Sequence, residues 1–236
     1  GYWDNQDYGL SAMSDVDEYN QLTEALVREL GGDGTYPGSE NFDEWITDTT
    51  NVVVVDIETT LVHEGTQRDI VSVNIHDKST DSDDYITYDH YFKPKEAKQV
   101  LTKLREYQKK GFKVVTHNGL SFDFTVLGQV AQDSRLANLT AVSHLDVQTN
   151  LMGAANYKFS AKAISVKNLA QTLLGEGKTD RAEFAALYWK RANGLEVELS
   201  DLDAVSPEKL EGQTKEEIVA EMNNIGSADA KARLKT

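Results

Sequence analysis

The stretch NVVVVDIETT, residues 51–60, constrains this chain more than any other. Four consecutive valines need a dry place, and β-branched side chains favour extended backbone, so the run predicts a strand built for burial. Yet Asp56 and Glu58 follow at once. Residues two apart in a strand face the same side, so both acids project into one small volume. Two carboxylates that close repel, and one would normally stay protonated. A divalent cation removes the conflict by taking oxygen ligands from both, and Mg²⁺ suits a site of one or two carboxylates, several waters and substrate phosphates. The bland account is a strand that has ended, with both acids in solvent. For an isolated D-x-E it would prevail.

Further along stands THNGLSFDF, residues 116–124. A strand ends at Thr116, a tight Asn-Gly follows, and Phe122–Asp123 opens a helix. An acid at a helix N-terminus is ordinary capping chemistry, so Asp123 alone says little. D-x-E-T-T on a first strand, with N-x-x-x-F-D about sixty residues later at a strand-to-helix junction, is a rare joint pattern.

The rest of the chain supplies a setting for these acids. Residues 1–50 read as an acidic extension, a helix over 14–30 followed by the Gly-rich break GGDGTYPGSE, 31–40. They hold twelve Asp/Glu against the single Arg28, a net −11 of the chain's −15. That segment is a poor nucleic-acid binder, since phosphate contacts need Lys and Arg, whereas residues 51–236 are close to balanced. A helix packed on the domain's edge accounts for the extension better than a competitor for a basic groove. From Asn51 the pattern is three strands (51–57, 69–77, 84–92), a helix over 94–111, a strand over 112–118 and a helix over 122–132. A strand over 141–148 and a helix over 165–175 follow, then a polar surface insertion (193–213) and a helical segment from 215, interrupted at Asn223–Gly226. Three strands and then alternating helices and strands describe an α/β fold, a mixed sheet flanked by helices.

The absence of cysteine excludes disulfides, thiol catalysis and cysteine-ligated zinc, and fits a cytoplasmic setting. No apolar run approaches the ~20 residues of a membrane span, and no secretory signal is visible at the start. The chain opens at Gly1, as a fragment or a processed product would.

DIETT resembles the first motif, and NGLSFD the second, of the ribonuclease H-like DEDD superfamily of 3′–5′ exonucleases. The N-x-x-x-F-D spacing is similar to that of the proofreading domains of family-B DNA polymerases. SVKNLAQTLLGEGKTDRAEFAALYWK, 165–190, is similar to the segment before the third motif in stand-alone relatives of those domains. The resemblance covers roughly residues 51–190 and implies a two-metal phosphodiesterase acting on nucleic acid, on single-stranded 3′ ends and on DNA ahead of RNA. It implies that Asp56, Glu58 and Asp123 ligate two Mg²⁺ or Mn²⁺ ions about 4 Å apart. Thr59, Thr60 and Leu61 would approach the terminal nucleotide, and His117, Asn118 and Phe122 would shape the pocket, Phe122 being as readily core packing. Where the family often has a glycine after the two threonines, this chain has Leu61.

The third motif of the family pairs an Asp with a Tyr four residues or a His five residues before it. Asp229 is the candidate acid, but Ile225 and Asn224 stand at those positions. A second register puts Glu221 at the tyrosine position and Ile225 at that of the acid. A base recruited from elsewhere, such as His117 or Glu176, a degenerate enzyme and an altered C-terminus all stay open. So does a non-catalytic nucleic-acid-binding or scaffold module of the same fold, and an endonuclease of the wider group. His144 and Asp146 face one side of their strand as a channel-lining or a structural pair. GEGK, 175–178, lacks the spacing of a phosphate loop, although Lys178, Arg181 and Lys190 could touch a nucleic-acid backbone. The basic run 103–113 reads as a solvated helix face before a phosphate site.

Overall fold

The computed structural model of the chain describes residues 49–61, 67–142, 144–149, 165–166, 169, 171, 175 and 184–234. The expected helices over 14–30 and, for the most part, 165–175 lie outside them, as do Glu176, Lys178 and Arg181.

Among the described residues, five strands form one mixed sheet in the order β3-β2-β1-β4-β5: β1 (Val52–Thr59), β2 (Ile70–Asp77), β3 (Ser82–Thr87), β4 (Lys113–Thr116) and β5 (His144–Asp146). The first three make an antiparallel meander, while β4 and β5 join β1's other side in parallel. The parallel strands need crossover connections, and helices supply them. α1 (Pro94–Lys109) starts with a proline at its first position, its Glu96 carboxylate accepts from the Lys93 N–H at 2.7 Å, and it buries Ala97, Val100, Leu101 and Leu104. α2 (Asp123–Ala131) ends where Gln132 takes a left-handed φ of 53°. Asp133 then caps α3 (Ser134–Val142) by accepting from the Leu136 N–H at 3.0 Å. These helices cover the face of β1 that carries Val53, Val55 and Ile57.

The opposite face of β1 differs from the dry strand expected. Val54 is 41 % exposed, Asp56 is exposed and Glu58 half-buried. The alternation of a one-sided strand therefore runs through the valine repeat, and the acids continue the open face. β5 is shorter than expected, because residues 134–142 form α3, and β3 stops at Thr87. The basic run 103–113 is less solvated than a surface face: Arg105 is buried and donates to Gln108, and Lys103 pairs with Asp84.

A second core gathers the C-terminal elements. It packs α4 (Ala185–Ala192), the 3₁₀ turns Leu199–Leu202 and Pro207–Leu210, α5 (Lys215–Asn223) and α6 (Ser227–Leu234). Phe184, Leu187, Leu202, Ile218 and Met222 are its largest fully buried members. The segment expected as a surface insertion contributes Val197, Leu202 and Val205 to this core. Its acidic residues sit on the outer face, where Asp201 takes Lys190 at 2.6 Å, so Lys190 is already paired. α4 packs on β1 and β2, and the Trp189 indole donates to the Tyr88 carbonyl at 2.9 Å.

The break between α5 and α6 falls where expected, and Asn223 shows why it is stable. Its amide accepts from the Val197 N–H and donates to the Val197 carbonyl, both at 2.9 Å, as a strand neighbour would. Asn223→Ala leaves both backbone groups without that partner, and a loss of about 1–3 kcal/mol in denaturant unfolding is expected.

Candidate active site

Asp56 and Glu58 stand at the C-terminal end of the central strand, on its open face, as the period of two requires. The register sets Asp56 opposite Asn74, with Tyr85 beyond it, and Glu58 opposite Ser72, with Thr87 beyond. A row of polar side chains thus crosses three strands beside the acids. Among the described residues, Asn74 Oδ1 is buried there with no hydrogen-bond partner. Burial, joined by the charge of Glu58, pushes the Tyr85 hydroxyl above its usual range.

Asp123 reaches this end of β1 from the first turn of α2. The pairing of β1 with β4 extends only to Val54, so the Ile57 N–H lies where that ladder has run out. The Asp123 carboxylate accepts it at 3.1 Å, across 66 residues of sequence. The acid at this helix N-terminus is thus tied to the strand that carries Asp56. Burial first, and then the charge of Asp56, push the Asp123 carboxyl up to about 7; the Ile57 hydrogen bond opposes this and Asp146 adds to it.

The loop before α2 is shaped by close contacts. Asn118, not the glycine after it, takes the left-handed φ of 67°. Gly119 is needed for space: a Cβ there would lie 2.2 Å from Thr116 Oγ1. Thr116 is buried and its hydroxyl donates to His144 Nε2 at 3.1 Å, while His144 Nδ1 donates to the Ala141 carbonyl at 2.7 Å. That tautomer fits a ring that burial holds neutral, well below its ordinary range. His144 also packs edge-on against Phe124, with centroids 4.6 Å apart. Of the two readings of His144 and Asp146, the structural pair holds.

The remaining expected residues are distributed as follows. Thr59 follows a register shift in β1, and Thr60 is fixed to Asp69 through its amide (2.9 Å) and its hydroxyl (3.1 Å). Leu61 packs against the second core. His117 is half-buried and Phe122 packs partly into the first core. Arg68 was not anticipated from the sequence; it donates to the Thr60 carbonyl at 3.2 Å and lies 5.3 Å from the Phe122 ring centroid. Asp229 is exposed on the first turn of α6, beside the buried Ala230. Ile225, the acid position of the second register, is buried apolar packing, and Glu221 accepts from Gln213 at 3.2 Å.

Among the described residues, no group of three or more His, Cys, Asp or Glu side chains is close enough to hold a metal ion. What they offer is a pair of acids in mutual repulsion beside an orphaned amide oxygen. Hard oxygen donors of this kind fit Mg²⁺ or Mn²⁺, which complete their shells with water and phosphate.

A family model for the RNase H superfamily matches residues 53–191, from β1 into α4. The match covers more than half of the 236 residues, and the chain belongs to that superfamily. The mixed sheet flanked by helices is the fold this membership requires, and it makes the domain nuclease-type, with nucleic acid as its substrate class. No curated protein matches the chain. No helix among the described residues is long and apolar enough to cross a membrane.

Proposed function

We propose that the chain is a divalent-metal-dependent 3′–5′ exonuclease that hydrolyses phosphodiester bonds at single-stranded ends, with DNA as the preferred substrate. One observation carries this reading: Asp123 leaves its own helix to bond the Ile57 N–H, next to Asp56, at a cost in ionisation that a shared cation would relieve.

Asp56, Glu58 and Asp123 would hold two Mg²⁺ or Mn²⁺ ions, with Asp229 as the candidate fourth acid. Bound there, the metal would lower the pKa of an attacking water and offset the charge developing on phosphorus. The protein's own contribution is placement. Asp123 is fixed by the Ile57 amide, and Thr60 by Asp69, so the end of β1 is held on both sides. Leu61 is anchored from the second core and Arg68 from the Thr60 carbonyl, and a terminal nucleotide would lie against this end of β1. Single strands suit it, since an end must be unpaired before its base can be splayed and stacked.

A catalytically degenerate module that binds nucleic acid is the second reading, favoured by the lack of a Tyr or His before Asp229 and of a three-acid group among the described residues. A 5′-labelled oligonucleotide with Mn²⁺ separates the two. The exonuclease produces a ladder shortening from the 3′ end, abolished in Asp56→Ala and strongly slowed in Asp229→Asn. Tight binding without product identifies the module. Cleavage of a circular single strand identifies an endonuclease, and an RNA strand run in parallel sets the sugar preference.

A further inference from the structure

β5 ends in Asp146, a residue that is only 2 % exposed and whose two oxygens are both engaged. Oδ1 accepts from the Asn118 N–H at 2.9 Å and from the Thr149 N–H at 3.2 Å; Oδ2 accepts from the Leu120 N–H at 3.1 Å. A buried carboxylate bonded to three backbone amides is a strong, charge-assisted anchor. Two of those amides belong to the loop between β4 and α2, the segment that delivers Asp123.

The hydrogen bonding continues from this anchor into α2. The Phe122 N–H donates to the Asn118 carbonyl at 3.0 Å and the Phe124 N–H to the Gly119 carbonyl at 2.9 Å, so the residues held by Asp146 also set the first turn of α2. Asn118 keeps its left-handed backbone while bonded to Asp146, a conformation that an unanchored loop would readily leave. From that first turn the Asp123 carboxylate meets the Ile57 N–H.

We infer that Asp146 is a positioning residue: its carboxylate clamps the Asn118–Leu120 turn and thereby fixes Asp123 against β1, which sets how tightly the acid pair takes a divalent cation. It acts through Asp123 and makes no contact of its own with the reacting phosphate. The cation part of this inference rests on the proposed nuclease site; the positioning part does not.

The test compares wild type, Asp146→Asn, Asp146→Glu and the remote variant Asn223→Ala, all metal-free, by amide hydrogen exchange and then by calorimetric titration with Mn²⁺ alone. Asp146→Asn keeps one acceptor oxygen, and Asp146→Glu keeps the charge while moving it along a longer side chain. Both are expected to speed exchange of the Ile57 amide, on a different strand, about tenfold relative to Val55, and to weaken Mn²⁺ binding about 10–100-fold, as loss of an outer supporting partner does. Asn223→Ala should change neither. A role confined to local stability would leave Ile57 protected. Unchanged Ile57 exchange in both Asp146 variants overturns the inference, and so does wild-type Mn²⁺ affinity in Asp146→Glu, because charge alone would then explain Asp146→Asn. If wild type takes up no Mn²⁺, the nuclease reading loses its cation, and the Ile57 exchange rate by itself decides whether Asp146 positions Asp123.

Discussion

Metal-free Asp123→Asn protein is expected to be more stable than wild type at pH 8, by as much as a few kcal/mol, and no more stable at pH 4. The sign follows from the direction of the shift. The folded protein holds the Asp123 carboxyl at about 7, above its ordinary 3.8. Below the unfolded value the group is protonated in both states and costs nothing. Between about 4 and 7 the unfolded chain gives up its proton more readily, so wild-type stability falls as pH rises, and above 7 the full penalty stands. Asparagine keeps an oxygen for the Ile57 N–H and brings no charge next to Asp56. On a domain of this size the gain corresponds to several degrees in Tm, since 1 kcal/mol is worth about 2–4 °C. The same substitution should remove at least about a thousandfold of any 3′ digestion, or about 4 kcal/mol of transition-state stabilisation. A residue whose removal stabilises the fold and ends the activity is held for function. Thermal unfolding at the two pH values, with the oligonucleotide assay alongside, checks both halves.

Gly119→Ala should be the most damaging glycine-to-alanine substitution among the described residues. Its Cβ would stand 2.2 Å from Thr116 Oγ1, 2.6 Å from Thr116 Cβ and 2.8 Å from Thr116 Cγ2. Thr116 cannot swing aside cheaply, because it is buried and bonded to His144. Overpacking of this kind costs about 1–3 kcal/mol, and here the strain falls on the turn that Asp146 holds and that leads to Asp123. A loss of about 3 kcal/mol is expected by denaturant unfolding, with nuclease activity falling further than the unfolded fraction explains. Thr116→Gly removes all three clashing atoms. The double variant should therefore be more stable than the sum of the single effects by at least about 1 kcal/mol, the coupling expected of side chains in contact. Additive effects would place the clash elsewhere.

How much of this was legible beforehand can be judged from a few residues. The period of two put Asp56 and Glu58 on one face, and the strand obeys it. The same period should have told against four dry valines, since a strand whose acids face out must also turn Val54 outward. Asp123 was marked out by its motif, but its bond to Ile57 had no local signal, because nothing nearby in sequence shows that β1 outruns its parallel neighbour and leaves the Ile57 N–H to be taken. Asp146 bonds backbone amides 28 and 26 residues before it, and Arg68 a carbonyl 8 residues before it, and such partners leave no periodic trace. The second core was hidden by composition: residues 193–213 are polar on average, yet Val197, Leu202 and Val205 are spaced to point inward from short turns rather than from a helix or strand.

Proton release on Mn²⁺ binding tests the shared-cation site most directly. A carboxyl held at about 7 is mostly protonated at pH 6 and mostly ionised at pH 8, and a metal ligand must be deprotonated. Calorimetric titration of the metal-free protein with Mn²⁺ in buffers of different ionisation heat should therefore find about one proton released per site at pH 6 and almost none at pH 8, with the release absent in Asp123→Asn. No Mn²⁺ uptake, or uptake with the same proton count at both pH values, would contradict a cation shared by Asp56 and Asp123.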